Sequence, residues 1–176
     1  MNNIMIDLET LDTRPTAVIL SIGAVFFDKD GLGEEFYQTI ALDSCTRAGL
    51  TISGDTFKWW MGQKGEARKA LFEGNQDLTG TLLTFDAWIS QHTDADKVKV
   101  WGNGADFDNA ILQHAYAAVD QQVPWKFWNN RCYRTTTALL GRAPRNQEGV
   151  YHNALDDAKS QAKHLIAVLN DRGLAL

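Results

Sequence analysis

Apolar and polar positions in this chain alternate between short runs of period two and longer runs of period near 3.6, in a definite order. Ile4-Met5-Ile6 is an apolar, strand-like run. After a loop marked by Arg14-Pro15, Ala17 to Phe27 is apolar and β-branched, which predicts a long, largely buried strand interrupted by Gly23. Asp28-Lys29-Asp30-Gly31 is a turn signal, and Glu35 to Leu42 alternates as the second arm of a hairpin. Helical spacing then takes over. Ser53 to Gln63 opens with capping residues (Ser53, Asp55, Thr56) and carries Phe57, Trp60 and Met61 at helical spacing. A short helix is expected over Glu66 to Phe72, and a longer one bearing Leu78, Leu82, Phe85 and Ile89 as its apolar stripe. Lys97 to Trp101 is a fourth strand, closed by Gly102-Asn103-Gly104 and followed by a helix from about Asp106 to Val119. Residues 120–132 form a loop with a short fifth strand near Asn130, and Thr135 to Leu140 is helical. Ala143 to Val150, with Pro144, Asn146 and Gly149, predicts a mobile loop. A last helix from about Asn153 to Asn170 buries Leu155, Ala158, Ala162, Leu165, Ile166 and Leu169.

Three strands followed by alternating helices and strands predict one α/β domain over residues 1–176. Its sheet is mixed, with the first three strands antiparallel and helices on its faces. Hydrophobic content of 44% and charged content of 22% suit a globular, water-exposed chain. No apolar run approaches the roughly 18 residues of a membrane span. No secretory signal pattern opens the sequence. Cys45 and Cys132 are far apart and read as reduced thiols, so a cytoplasmic location is expected. A net charge of −5 argues against a protein that coats nucleic acid electrostatically. A nuclease stays open, because acidic metal ligands contribute to that charge and a bound divalent ion reverses the local sign.

Three acidic stations carry the candidate chemistry. At the first, Asp7-Leu8-Glu9-Thr10 stands where the first apolar run ends. Strand residues two apart share a face, roughly 6.5–7 Å apart, so Asp7 and Glu9 point the same way. Their mutual repulsion is relieved by a hard cation such as Mg²⁺. Next comes Asn103-Gly-Ala-Asp106-Phe107-Asp108, where the fourth strand turns into a helix. On a helical wheel Asp108 lies about 65° and Asp106 about 135° from the apolar stripe through Phe107, Ile111, Ala115 and Ala118. That favours Asp108 as the site residue and Asp106 as a cap or surface residue. The third station is His152-Asn-Ala-Leu-Asp156-Asp157-Ala158. Periodicity does not choose between Asp156 and Asp157, which fall on opposite sides of the stripe at about 130°.

In order and spacing, these stations resemble the three exonuclease motifs of the DEDDh-type 3′→5′ exonucleases, a family on an RNase H-like fold. The His-x₄-Asp element followed by Ala and an amphipathic helix is the specific part. Thr56-Phe-Lys-Trp59-Trp60 and Trp101-Gly-Asn-Gly look most like the small phage-type and mycobacterial-type exoribonuclease branch. The family motif often carries an Asn nearer the Phe-Asp pair than Asn103 is here.

The resemblance implies a 3′→5′ exonuclease that releases nucleoside 5′-monophosphates from single-stranded DNA or RNA. It selects Asp157 over Asp156. Asp7, Glu9, Asp108 and Asp157 would hold two ions, Mg²⁺ or Mn²⁺, and His152, beside the mobile segment, would be the general base. Thr10, Trp60 and Phe107 are the implied substrate contacts, by backbone and by stacking. Lys58, Lys64, Arg68 and Lys69 offer a modest phosphate-binding face. The implied partner is a nucleic-acid 3′ end, and several relatives form homodimers. Alternatives are a catalytically weak nucleic-acid-binding domain of the same fold and a metal-dependent endonuclease.

Overall fold

The computed structural model describes residues 1–74, 76–141 and 146–174. Its strands are β1 (Asn3–Thr10), β2 (Ile19–Asp28), β3 (Gly31–Thr39), β4 (Lys99–Gly102) and β5 (Asn130–Cys132). They form one five-stranded sheet in the order β3-β2-β1-β4-β5. The β1–β2 and β2–β3 pairs are antiparallel, and the β1–β4 and β4–β5 pairs are parallel. This is the expected mixed sheet. Seven α-helices occur among the described residues: α1 (Leu42–Arg47), α2 (Gly54–Met61), α3 (Lys69–Glu73), α4 (Leu78–His92), α5 (Ala110–Ala118), α6 (Tyr133–Leu140) and α7 (Ala154–Asp171). None is long and apolar enough to cross a membrane.

Alternation along β1 separates two cores. Ile4, Ile6 and Leu8 face one side, packed with Leu82, Phe85 and Ile89 of α4 and with Ile111 and Ala115 of α5. Met5 faces the other, with Ala158, Ala162, Leu165 and Leu169 of α7. Asp7 and Glu9 continue the Met5 side. Two carboxylates therefore stand on the face that α7 covers.

Several boundaries differ from expectation for identifiable reasons. β1 does not end at Ile6, because β2 pairs with it as far as Thr10. A register shift between Glu9 and Thr10 bends the ladder beside the second carboxylate. The hairpin closes on the Lys29-Asp30 loop, so β3 starts at Gly31 and stops at Thr39. Ala17 lies outside β2, in an isolated bridge with Thr51. Gly23 does not interrupt β2. It sits opposite Asp7, and a Cβ there would lie 2.1 Å from the carbonyl carbon of Ala154. The missing side chain lets the start of α7 rest directly on the sheet.

Beyond β4 the chain enters a π-helical turn (Ala105–Asn109) before α5, rather than a regular helix from Asp106. Such turns are often found at functional sites. A Cβ on Gly102 would lie 2.4 Å from Asn109 Oδ1, so this glycine admits the turn against the strand. On α2 only Trp60 is buried; Phe57 and Met61 are exposed. Residues 143–145 of the expected mobile loop lie outside the described residues, and 146–150 contain no helix or strand.

Candidate active site

Each acidic station arrives on a different element. β4 pairs with β1 only from Asn3 to Met5, so the later part of β1 has an open edge on that side. Asp108 fills it: the Leu8 N–H donates to Asp108 Oδ1 at 3.2 Å, and the Asn103 N–H donates to Oδ2 at 2.8 Å. Asp108 is 2% exposed whereas Asp106 is exposed, as the helical wheel expects. Asn153 caps α7, its side chain accepting the N–H groups of Leu155 and Asp156 at 3.1 Å. One turn on, Asp157 is buried beside Glu9. Asp156 turns aside to accept the Val150 N–H at 2.8 Å.

His152 has a positive φ of 64°, a conformation that non-glycine residues adopt rarely and at a cost of about 1–3 kcal/mol. Its N–H donates to Asp157 Oδ2 at 3.0 Å, which holds the turn. The imidazole stands edge-on to Trp59, with centroids 5.0 Å apart and planes at 87°. Glu9, His152 and Asp157 each offer a ligand atom within 4.8 Å of the others. Gln147 Nε2 donates to Asp157 Oδ1 at 2.7 Å, and Gln161 Nε2 to Asp7 Oδ1 at 2.6 Å.

The electrostatics fit a cation. Burial pushes the Glu9 carboxyl up to about 8, and repulsion from Asp157 and then Asp108 adds to it. Burial also raises Asp108 to about 7, against the backbone N–H groups of Asn103 and Leu8, which pull it down. Asp7 is raised well above the carboxylate range by burial and then by Asp108, Glu9 and Asp157. Such a group of oxygen donors is disfavoured while ionised and uncompensated. A hard divalent ion removes that penalty.

A cavity of about 780 Å³ opens over the cluster, lined by Asp7, Glu9, His152 and Asp157 among others. Thr10 and Phe107 also line it. The match to the family described as 3′-5′ exoribonuclease Rv2179c-like domain runs over residues 2–169. The chain belongs to this family. It is therefore a 3′-5′ exonuclease. An exodeoxyribonuclease of Enterobacteria phage T4 is 26% identical over 169 residues, covering 80% of this chain and 72% of the phage protein. Among solved structures, the cell-death related nuclease 4 (CRN-4) superposes with a TM-score of 0.63 at 14% identity, over 96% of this chain. The match takes in 64% of that nuclease, under two thirds of its length. The nuclease domain of 3′hExo, a DEDDh family member solved with rAMP, superposes with a TM-score of 0.62 at 16% identity, over 96% of this chain and 92% of that domain. The fold is the one the resemblance implies.

In this exonuclease the aromatic residues divide differently from expectation. Trp60 is 1% exposed, its indole N–H donated to the Thr10 carbonyl at 2.8 Å. It borders the cavity but offers almost no exposed surface to it. Trp59, 46% exposed on the same cavity, has the accessible ring. In the sequence Trp59 stands out only within the Thr56–Trp60 resemblance, with no substrate role, and neither glutamine stands out. For Gln161 a signal existed: it lies one helical turn after Asp157, on the same face. Of the basic residues, Lys64 lines a neighbouring cavity of about 320 Å³ that shares Tyr151 and His152, and Lys58 is paired with Asp55 at 3.9 Å.

Proposed function

We propose that this exonuclease removes nucleoside 5′-monophosphates one at a time from the 3′ end of single-stranded nucleic acid, supported by two divalent ions, Mg²⁺ or Mn²⁺. The convergence of Glu9, His152 and Asp157 within 4.8 Å, beside half-buried Asp7 and buried Asp108, carries this reading. Asp7, Glu9, Asp108 and Asp157 hold the ions. When bound, these lower the pKa of a water and stabilise charge on the leaving oxygen. His152 accepts the proton of the attacking water. The bond between phosphorus and the 3′-oxygen breaks, and the terminal nucleotide leaves with its 5′-phosphate. Thr10 and Phe107 border that nucleotide, and the open face of Trp59, backed by Trp60, receives a base.

The family description supports RNA as substrate, and the name of the phage relative supports DNA. The test therefore runs 5′-labelled single and double strands of both, with Mg²⁺ or Mn²⁺, beside Asp157→Ala. The expected result is a ladder shortening from the 3′ end, nucleoside 5′-monophosphate as product, and almost no activity in the variant. Internal cuts would overturn the exonucleolytic mode, and full activity of Asp157→Ala the ligand assignment. Sedimentation velocity tests the homodimer that the resemblance implies.

A further inference from the structure

Gln161 stands on α7 one turn beyond Asp157, 1% exposed, and it lines the active-site cavity. Its Nε2 donates to Asp7 Oδ1 at 2.6 Å, while its Oε1 accepts no hydrogen bond. That asymmetry is informative. A buried amide oxygen without a donor is unfavourable, and a side chain serving packing alone at this depth would be apolar. When Asp7 is ionised, as metal binding requires, the compensation is a charge-assisted bond to a carboxylate, stronger than one to a neutral acceptor. With Asp7 ionised, as a metal ligand must be, exchanging the amide's ends would set Oε1 against Asp7 Oδ1, oxygen facing oxygen. The amide is therefore oriented by Asp7.

We infer that Gln161 is a positioning residue for metal binding: it ties down one oxygen of Asp7 and leaves the other oriented toward the ion site. This rests on the proposed role of Asp7 as a metal ligand. Residues that hold ligands in place are worth roughly 10–100-fold in metal affinity when removed. A tied carboxylate also loses less freedom when the ion arrives. The role concerns the ion and not the nucleic-acid strand, so it acts on kcat and metal affinity and leaves KM for the strand alone.

The test uses the full chain, with Mn²⁺ alone as calorimetric probe, and compares wild type with Gln161→Met and Gln161→Glu. Methionine keeps the length and volume without the N–H; glutamate keeps the shape without the donor. Melting curves in EDTA confirm that each variant folds. The expected result is Mn²⁺ affinity lower by roughly 10–100-fold in both variants, with kcat reduced and KM for a single strand unchanged. Gln161→Met binding Mn²⁺ as wild type does would mean a packing role and overturn the inference. Gln161→Glu binding more tightly than wild type would make the position a direct ligand and overturn it too. If wild type bound no Mn²⁺, the metal-site reading itself would fall, a result distinct from either.

Discussion

The Leu8 N–H donates to Asp108 Oδ1 at 3.2 Å, and this bond does two things at once. It completes the edge of β1 where β4 has ended, and it draws a carboxylate from a separate element into the space beside Asp7 and Glu9. Asp108→Asn separates the two effects. Asparagine oxygen still accepts from Leu8, but its NH₂ meets the Asn103 N–H, a loss of about 1 kcal/mol. Removing the carboxyl that repels Asp7 and Glu9 offsets this. The expected outcome is a metal-free melting temperature within a few degrees of wild type, with 3′-end degradation slower by at least about 100-fold, as loss of a ligand from a metal-ion catalyst entails. A soluble variant that degrades single strands at the wild-type rate would remove Asp108 from the metal set.

Stability of the metal-free protein should fall as pH rises. Glu9 and Asp108 move from ordinary values of 4.5 and 3.8 to about 8 and about 7 on folding, and Asp7 moves in the same direction. The folded state therefore binds more protons than the unfolded one between roughly pH 4 and 8, and stability declines across that window. It is fully present below the unfolded values and lost through the folded ones. Asp12 acts oppositely. Its bond from the Arg14 guanidinium lowers it from 3.8 to about 2, so that contribution is lost as pH falls through about 2. In EDTA the melting temperature is expected to be higher at pH 5 than at pH 8. Added Mg²⁺ or Mn²⁺ should raise it most at pH 8. A flat profile in EDTA, with no larger metal effect at high pH, contradicts the electrostatic account of the site.

Gly23→Ala tests how the second half of the site is placed. The added methyl would lie 2.1 Å from the Ala154 carbonyl carbon, and backbone cannot rotate away as a side chain can. The start of α7 must lift, taking Asp157, Gln161 and the His152 turn with it. A destabilisation of about 1–3 kcal/mol is expected, as in overpacked cores. Activity should fall at temperatures where the variant is still folded. Thermal melts and initial rates on a 5′-labelled strand measure both. Wild-type values for the two would mean that the helix does not rely on this close approach.

How far the sequence reveals this arrangement depends on the range of the interaction. The period-two pattern of β1 puts Asp7 and Glu9 on one face, a local consequence of backbone geometry. The wheel also favours Asp108 over Asp106, although the segment is a π-helical turn to which its step of about 100° per residue does not apply. The wheel could not choose Asp157 over Asp156. That choice follows from α7 docking on Gly23, a contact between residues 131 positions apart. Likewise Trp59 and Trp60 are adjacent and chemically identical, yet one is exposed and the other donates to Thr10, fifty residues away. The π-helical turn before α5 also escaped the pattern, since it answers to the close approach of Asn109 to Gly102 rather than to periodicity.

His152 is grouped by distance with two carboxylates, which leaves it two distinct chemical roles: proton acceptor or metal ligand. The proposed mechanism commits to the first. His152→Ala then removes a general base worth typically about 10²–10⁴ in rate and leaves Mn²⁺ affinity near wild type. A ligand role would weaken affinity in step with activity. The positive φ helps in reading the result, because alanine tolerates that conformation less well than histidine. His152→Asn, a residue that also adopts it, controls for the turn. Both variants are expected to bind Mn²⁺ normally by calorimetry and to degrade the strand at the same low rate. Activity restored by asparagine would show that the turn, and not the imidazole, is what the reaction needs, since an amide does not take up a proton at these pH values.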